Sequence, residues 1–149
     1  MAIAVVASLL GIWAFWQSLA EGARADQFFN LITSDPAGER AMQKICLNAI
    51  EVTTSLAMAK DAASAQPLEE RFWELYFGPM YIVELHERKK SGTGRSGIEA
   101  AMVQYGKTLK EVRTSSGLAR ATSLCPRADA IHNACHWHLK ILEKRRPCP

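Results

Sequence analysis

Residues 2–20, AIAVVASLLGIWAFWQSLA, run for nineteen positions without a charged side chain, and no other feature restricts the fold of this chain so strongly. At about 1.5 Å of rise per residue, a helix of that length spans roughly 28 Å, close to the ~30 Å hydrocarbon thickness of a bilayer. A single segment in lipid must satisfy its backbone polar groups internally, which leaves the helix. Trp13, Phe15 and Trp16 gather near the C-terminal end of the run, where an interfacial aromatic belt belongs. The expected arrangement is a transmembrane anchor over residues 1–20 in contact with the lipid bilayer, continuing as a juxtamembrane helix over 21–34. The alternatives are a cleaved signal peptide, because SLA at 18–20 and ARA at 23–25 are small-x-small sequences, and a buried helix of a soluble domain. The absence of Lys or Arg ahead of the run, together with its bulky aromatics, favours the anchor.

Flanking charge sets the expected orientation. No Lys or Arg precedes the run, and Arg24, Arg40 and Lys44 follow it, so the positive-inside rule places the C-terminal domain in the cytoplasm. Cys46, Cys125, Cys135 and Cys148 form no CxxC pair. Reduced thiols suit a cytosolic domain, whereas four cysteines in an exported one allow two disulfides.

The remainder reads as helices. Asp35, Pro36 and Glu39 are start signals, and Met42, Ile45, Ala49, Val52 and Leu56 then recur at heptad spacing, with Cys46 and Ala57 alongside, to about residue 60. A second start at Pro67, with Glu69 and Glu70 at its positive end, predicts a helix to about residue 90. Its inner stripe is Leu68, Phe72, Leu75, Tyr76, Met80 and Val83. SGIE at 96–99 has the form of a capping box ahead of the stripe Ile98, Met102, Tyr105, Leu109 and Val112. After TSSG, a last helix is expected from about Pro126 to about Arg145, with Leu124, Ala128, Ile131, Cys135, His138 and Leu142 facing inward. No segment alternates with period two, so no sheet is expected. The predicted fold is all-α: the N-terminal transmembrane helix, then a small antiparallel bundle of about four helices over 35–146, with 147–149 as a tail.

Three stretches, FWELYFGPMYIVE (72–84), IEAAMVQYGKTL (98–109) and ADAIHNACHWHL (128–139), share an order and spacing that resembles a group of uncharacterised bacterial proteins. Those have an N-terminal membrane helix and a small helical domain. The likeness covers about residues 28–139. It departs at Pro79, where a helix former is expected, and at His136, Trp137 and His138, where polar residues are expected. The resemblance implies a single-pass protein of the bacterial inner membrane and brings no catalytic residue with it.

The candidate chemistry is sparse. His132 and His136 are four apart on a helix and, with Cys135 or Cys125, offer zinc donors, although HExxH and paired CxxC are both absent. Cys135 on an apolar stripe reads more simply as a small hydrophobe. Cys125 ahead of Pro126 is a weak candidate for a lowered thiol pKa at a helix N-terminus. The glycines of SGTGRSG follow no strand and precede no Gly-Lys-Ser/Thr, so they mark a connection and not a phosphate loop. Glu-x-x-His repeats for a di-iron bundle are lacking. A net charge of +3 gives no nucleic-acid footprint. Arg88, Lys89, Lys90 and Arg95, and Lys140, Lys144, Arg145 and Arg146, cluster so that anionic headgroups are possible contacts, although cations near helix C-termini already suit the dipole.

Trp73, Phe77 and Tyr81 form a second aromatic stripe that core packing on one face does not require. It is either covered by a central position in the bundle, which is the preferred reading, or exposed as a binding surface. The expected function is association and not catalysis, without a cofactor. In this reading the chain is a membrane-tethered interaction or scaffold domain that self-associates or meets a membrane protein, since tethering raises effective concentration. The alternative is a small-ligand- or metal-binding bundle in which the aromatic helix 72–84 faces the His/Cys helix 125–138, with zinc as the metal. An enzyme is the third reading.

Overall fold

The structure, a computed structural model, describes residues 36–92, 96–139 and 148. The chain divides into two units, Met1–Gly38 and Glu39–Pro149. The expected anchor and juxtamembrane helix, with Trp13, Phe15 and Trp16, lie outside the described residues, as do Arg95, Lys140, Lys144, Arg145, Arg146, Leu142 and the His138 side chain. Five helices and no strand occur among the described residues: α1 Pro36–Ala57, α2 Ala62–Phe77, α3 Met80–Ser91, α4 Gly97–Glu111 and α5 Gly117–Leu139. They form an all-α bundle. No described helix is long and apolar enough to cross a membrane.

Most of the described residues in the apolar stripes read from periodicity form the core, with Ile45, Leu68 and Tyr76 packed against it and only partly buried. Met42, Cys46, Ala49, Val52, Leu56 and Ala57 of α1 are buried, as are Ile98, Met102, Tyr105 and Leu109 of α4. Tyr105 shows how a polar group joins this core at no loss. Its hydroxyl donates to Thr53 O at 2.7 Å, and Thr53 Oγ1 donates to Ala49 O at 2.8 Å. Burial holds the Tyr105 phenol far above its ordinary pKa.

Three boundaries differ from the sequence expectation, each for a local reason. α2 starts ahead of Pro67 because Asp61 caps it. The Asp61 carboxylate accepts the Ser64 N–H at 2.8 Å, and Ser64 Oγ accepts the Asp61 N–H at 3.4 Å, a capping box that the sequence does not spell with Glu or Gln. The single helix expected over residues 67–90 is two. Gly78 leaves helical geometry at φ −120°, ψ −107°. A Cβ there would sit 2.8 Å from Glu74 O. Pro79 then restarts the helix at φ −59°, ψ −32°, having no N–H with which to continue the preceding one.

α5 begins at Gly117, well before Pro126, which lies inside it. Arg120, in its first turn, is 1% exposed. One guanidinium nitrogen donates to Ala59 O and Asp61 O, at 3.0 and 3.2 Å, and the other to Ser115 O and Arg113 O, at 3.2 and 3.5 Å. These carbonyls lie just beyond the C-termini of α1 and α4, where uncapped carbonyls carry partial negative charge. A buried cation is thus held by carbonyl dipoles, of which Asp61 O also accepts the Ala65 N–H and the Ser64 hydroxyl, each at 3.1 Å.

Capping at α4 is also shared differently from the SGIE expectation. Ser96 Oγ accepts the Glu99 N–H at 3.0 Å, as a cap should. The remaining N-terminal donors turn to Glu87 of α3, whose carboxylate accepts from Ser96 Oγ and from the Gly97 and Ile98 N–H groups. Glu99 is left to pair with Arg88 of α3. Leu124, Ala128, Ile131, Cys135 and Leu139 make the inner face of α5. All four cysteines are paired. Cys46–Cys135 joins α1 to α5 with Cα atoms 5.9 Å apart, and Cys125–Cys148 joins α5 to the residue near the chain end at 5.6 Å.

Candidate functional site

The aromatic residues of α2 grade from core to surface along the helix. Phe72 is fully buried and packs on Tyr105, ring centroids 5.0 Å apart. Trp73 meets Phe72 edge-on at 4.9 Å and lies over α4, where a Cβ on Gly106 would come within 2.9 Å of the indole. Glycine at 106 is what allows this close approach. The indole N–H donates to Glu69 at 3.5 Å, and Lys110 Nζ stands 5.3 Å above the ring. Glu69 also pairs with Arg113 of the α4–α5 connection at 3.3 Å. Trp73 is thus held by contacts from α2 and α4 while remaining partly exposed.

Phe77 adds a further contact to Trp73. It stacks on Trp73 at 5.8 Å with 21° between the rings, and Tyr76 meets it edge-on at 4.8 Å. Its outer face is open, and the residue is 76% exposed. Beyond the Gly78–Pro79 break, Tyr81 occupies the first turn of α3 and is 54% exposed. The second aromatic stripe thus divides. Trp73 is covered by α4, as a central helix would require, while Phe77 and Tyr81 face solvent on either side of the break. Such rings offer apolar area at low conformational cost, which suits a contact surface more than bond-making chemistry.

One carboxyl group of α3, which the sequence reads as surface charge, is buried in the structure. Glu84 of α3 is 7% exposed and stands near Glu99 and Glu87. Burial first, and then the charge of Glu99, push its pKa up to about 7, with Arg88 opposing. Partial burial of its own, and then the charges of Glu84 and Glu99, raise the pKa of Tyr76. The available signal was a Glu on the inner stripe beside Val83, but a lone Glu at a helix edge reads by default as solvated.

The proposed metal donors separate. Cys135 is fully buried and bonded to Cys46, so it offers no thiolate, while His132 and His136 stay together toward the outside, ring centroids 6.3 Å apart. Cys125 is disulfide-bonded and lies within α5, not at a helix start, which removes the basis for a lowered thiol pKa. No group of three or more His, Cys, Asp or Glu side chains suited to a metal ion occurs among the described residues. Arg88, Lys89 and Lys90 occupy the last turn of α3, with Arg88 committed to Glu99.

No family model matches the chain, and neither a curated protein nor a solved structure is detectably similar to it.

Proposed function

We infer that the chain is a membrane-tethered helical domain that acts by association, and that Phe77 and Tyr81 are the centre of its contact surface. One observation carries this reading: two large aromatic rings stand 76% and 54% exposed on either side of a helix break, the first backed by a fixed stack. Exposed rings on a rigid support lose little freedom on binding, which is the property of residues that dominate interfaces. The uncharged run at residues 2–20 supports the tether. The two disulfides favour a domain on the oxidising side of the membrane over the cytoplasmic side that Arg24 suggests, since the cytosol keeps thiols reduced.

Cross-linking in native membranes tests the proposal. The wild type gives a discrete adduct, either a second copy or a membrane protein, and F77A/Y81A loses at least about tenfold of it, the order expected when two central aromatic contacts are removed. Recovery of the wild type only as an isolated monomer, or equal adduct yield from the variant, rejects this reading.

A further inference from the structure

The strongest cluster of donor side chains outside the aromatic surface is on α5. His132 and His136 are one helical turn apart, His132 partly buried and His136 exposed, with ring centroids 6.3 Å apart and 29° between the planes. We propose that these two side chains form a bidentate chelate for a divalent late transition-metal ion, preferring Cu²⁺ and accepting Zn²⁺ or Ni²⁺. The observation is independent of the aromatic reading.

Spacing, orientation and chemistry all contribute. Residues four apart on a helix lie on the same face, a few ångströms from each other. A chelated ion holds each nitrogen at about 2.0–2.1 Å, so the donor atoms must come about 3 Å apart. With ring centroids 6.3 Å apart, chelation requires both rings to turn about χ1 and χ2 and to exchange the contacts they now make. Imidazole is a ligand of borderline softness, and for such donors affinity peaks at Cu²⁺. The helix beneath is held in place. Cys135, between the two histidines in sequence, points inward and is bonded to Cys46, and Ile131 and Leu139 are buried on the same inner face. The disulfide therefore removes sulfur from the site while anchoring the turn that presents both imidazoles. Two protein ligands leave the other coordination positions to water, an anion or a donor from another molecule.

The test is titration of CuCl₂, and separately ZnCl₂, into the full chain in detergent, followed by calorimetry and by tryptophan emission. Trp137, next to His136 and 85% exposed, reports a nearby copper ion by quenching. One ion binds per chain. H132A and H136A each weaken binding at least tenfold, the double variant abolishes saturable quenching, and H86A leaves the constant unchanged. Binding weakens as pH falls, because protons compete for the ligating nitrogens. The same Kd in the double variant, or no saturable one-to-one binding to the wild type, overturns the site. Matching far-UV spectra show that the variants remain folded.

Discussion

At the scale of the residue, Glu84 is the group whose surroundings and charge are most at odds. Facing it are Tyr76 from α2, Glu87 and Arg88 from α3, and Glu99 from α4. Its pKa in the folded chain, about 7, lies above the 4.5 of a solvated Glu, so the folded state binds the extra proton between those values. Stability then falls as pH rises from about 4.5 to about 7 and is level with respect to this group above that window. The opposing charge of Arg88 is already counted in that pKa, so the expected loss is on the order of 3 kcal/mol at ~1.4 kcal/mol per pKa unit. His86, held below its usual pKa by burial, acts in the opposite direction at the acid end, because stability is lost as it takes up a proton. The comparison with E84Q therefore isolates the carboxyl. Denaturant midpoints measured at pH 5 and pH 8 should fall less between the two in E84Q than in the wild type. Parallel pH profiles for the two proteins would show that Glu84 does not titrate in this window.

At the scale of the element, the bundle depends on how helix ends are closed, and Arg120 closes two of them. Arg120→Met keeps the volume and removes every donor, leaving the carbonyls of Ala59, Asp61, Arg113 and Ser115 without this partner. Asp61 O keeps the Ala65 N–H and the Ser64 hydroxyl, and unpaired buried polar groups cost about 1–3 kcal/mol each with partial relief by water, so a loss of about 3 kcal/mol is expected. Arg120→Lys recovers little of it, because one ammonium cannot present the planar fork that reaches both helix ends. Chemical denaturation checks both, and a change below about 0.5 kcal/mol in Arg120→Met would mean that water replaces the clamp. Arg120 also marks the limit of what the sequence disclosed. The stripes of α1 and α4 were legible because each repeats with helical period, and Ser96 was legible as a cap. The start of α5 was not, since residues 117–125 carry little apolar period and are held by a charged residue that pattern reading assigns to solvent. Pro79 was legible as a disruption but not as a full break, because the break also requires the non-helical ψ of Gly78. Within the candidate site, Trp73, Phe77 and Tyr81 were legible as a stripe. Their division into one covered ring and two exposed ones was not, because it depends on Gly106 of α4 receiving the indole.

At the scale of the whole molecule, the disulfides determine what environment this bundle can tolerate. Cys46 and Cys135 are 89 positions apart, and closing a loop of that size in the unfolded chain contributes roughly 4–5 kcal/mol in the chain-entropy account. Cys125 and Cys148, 23 apart, contribute roughly 3 kcal/mol by the same account. Together these are comparable with the 5–15 kcal/mol total stability of an ordinary domain, so the reduced chain would retain only a small margin. Two measurements follow. Protein taken from its source cells, denatured and alkylated without reductant, should carry no adduct on its cysteines, and after reduction it should carry four. The denaturation midpoint should fall steeply on reduction, with C46A/C135A reproducing more of the fall than C125A/C148A, because its loop is longer and its sulfurs are fully buried between α1 and α5. Cysteines that alkylate without reductant, in a chain whose midpoint is unmoved by reductant, would return the domain to the cytoplasmic face predicted by its flanking charge. The opposite result supports the proposed location on the oxidising side of a membrane.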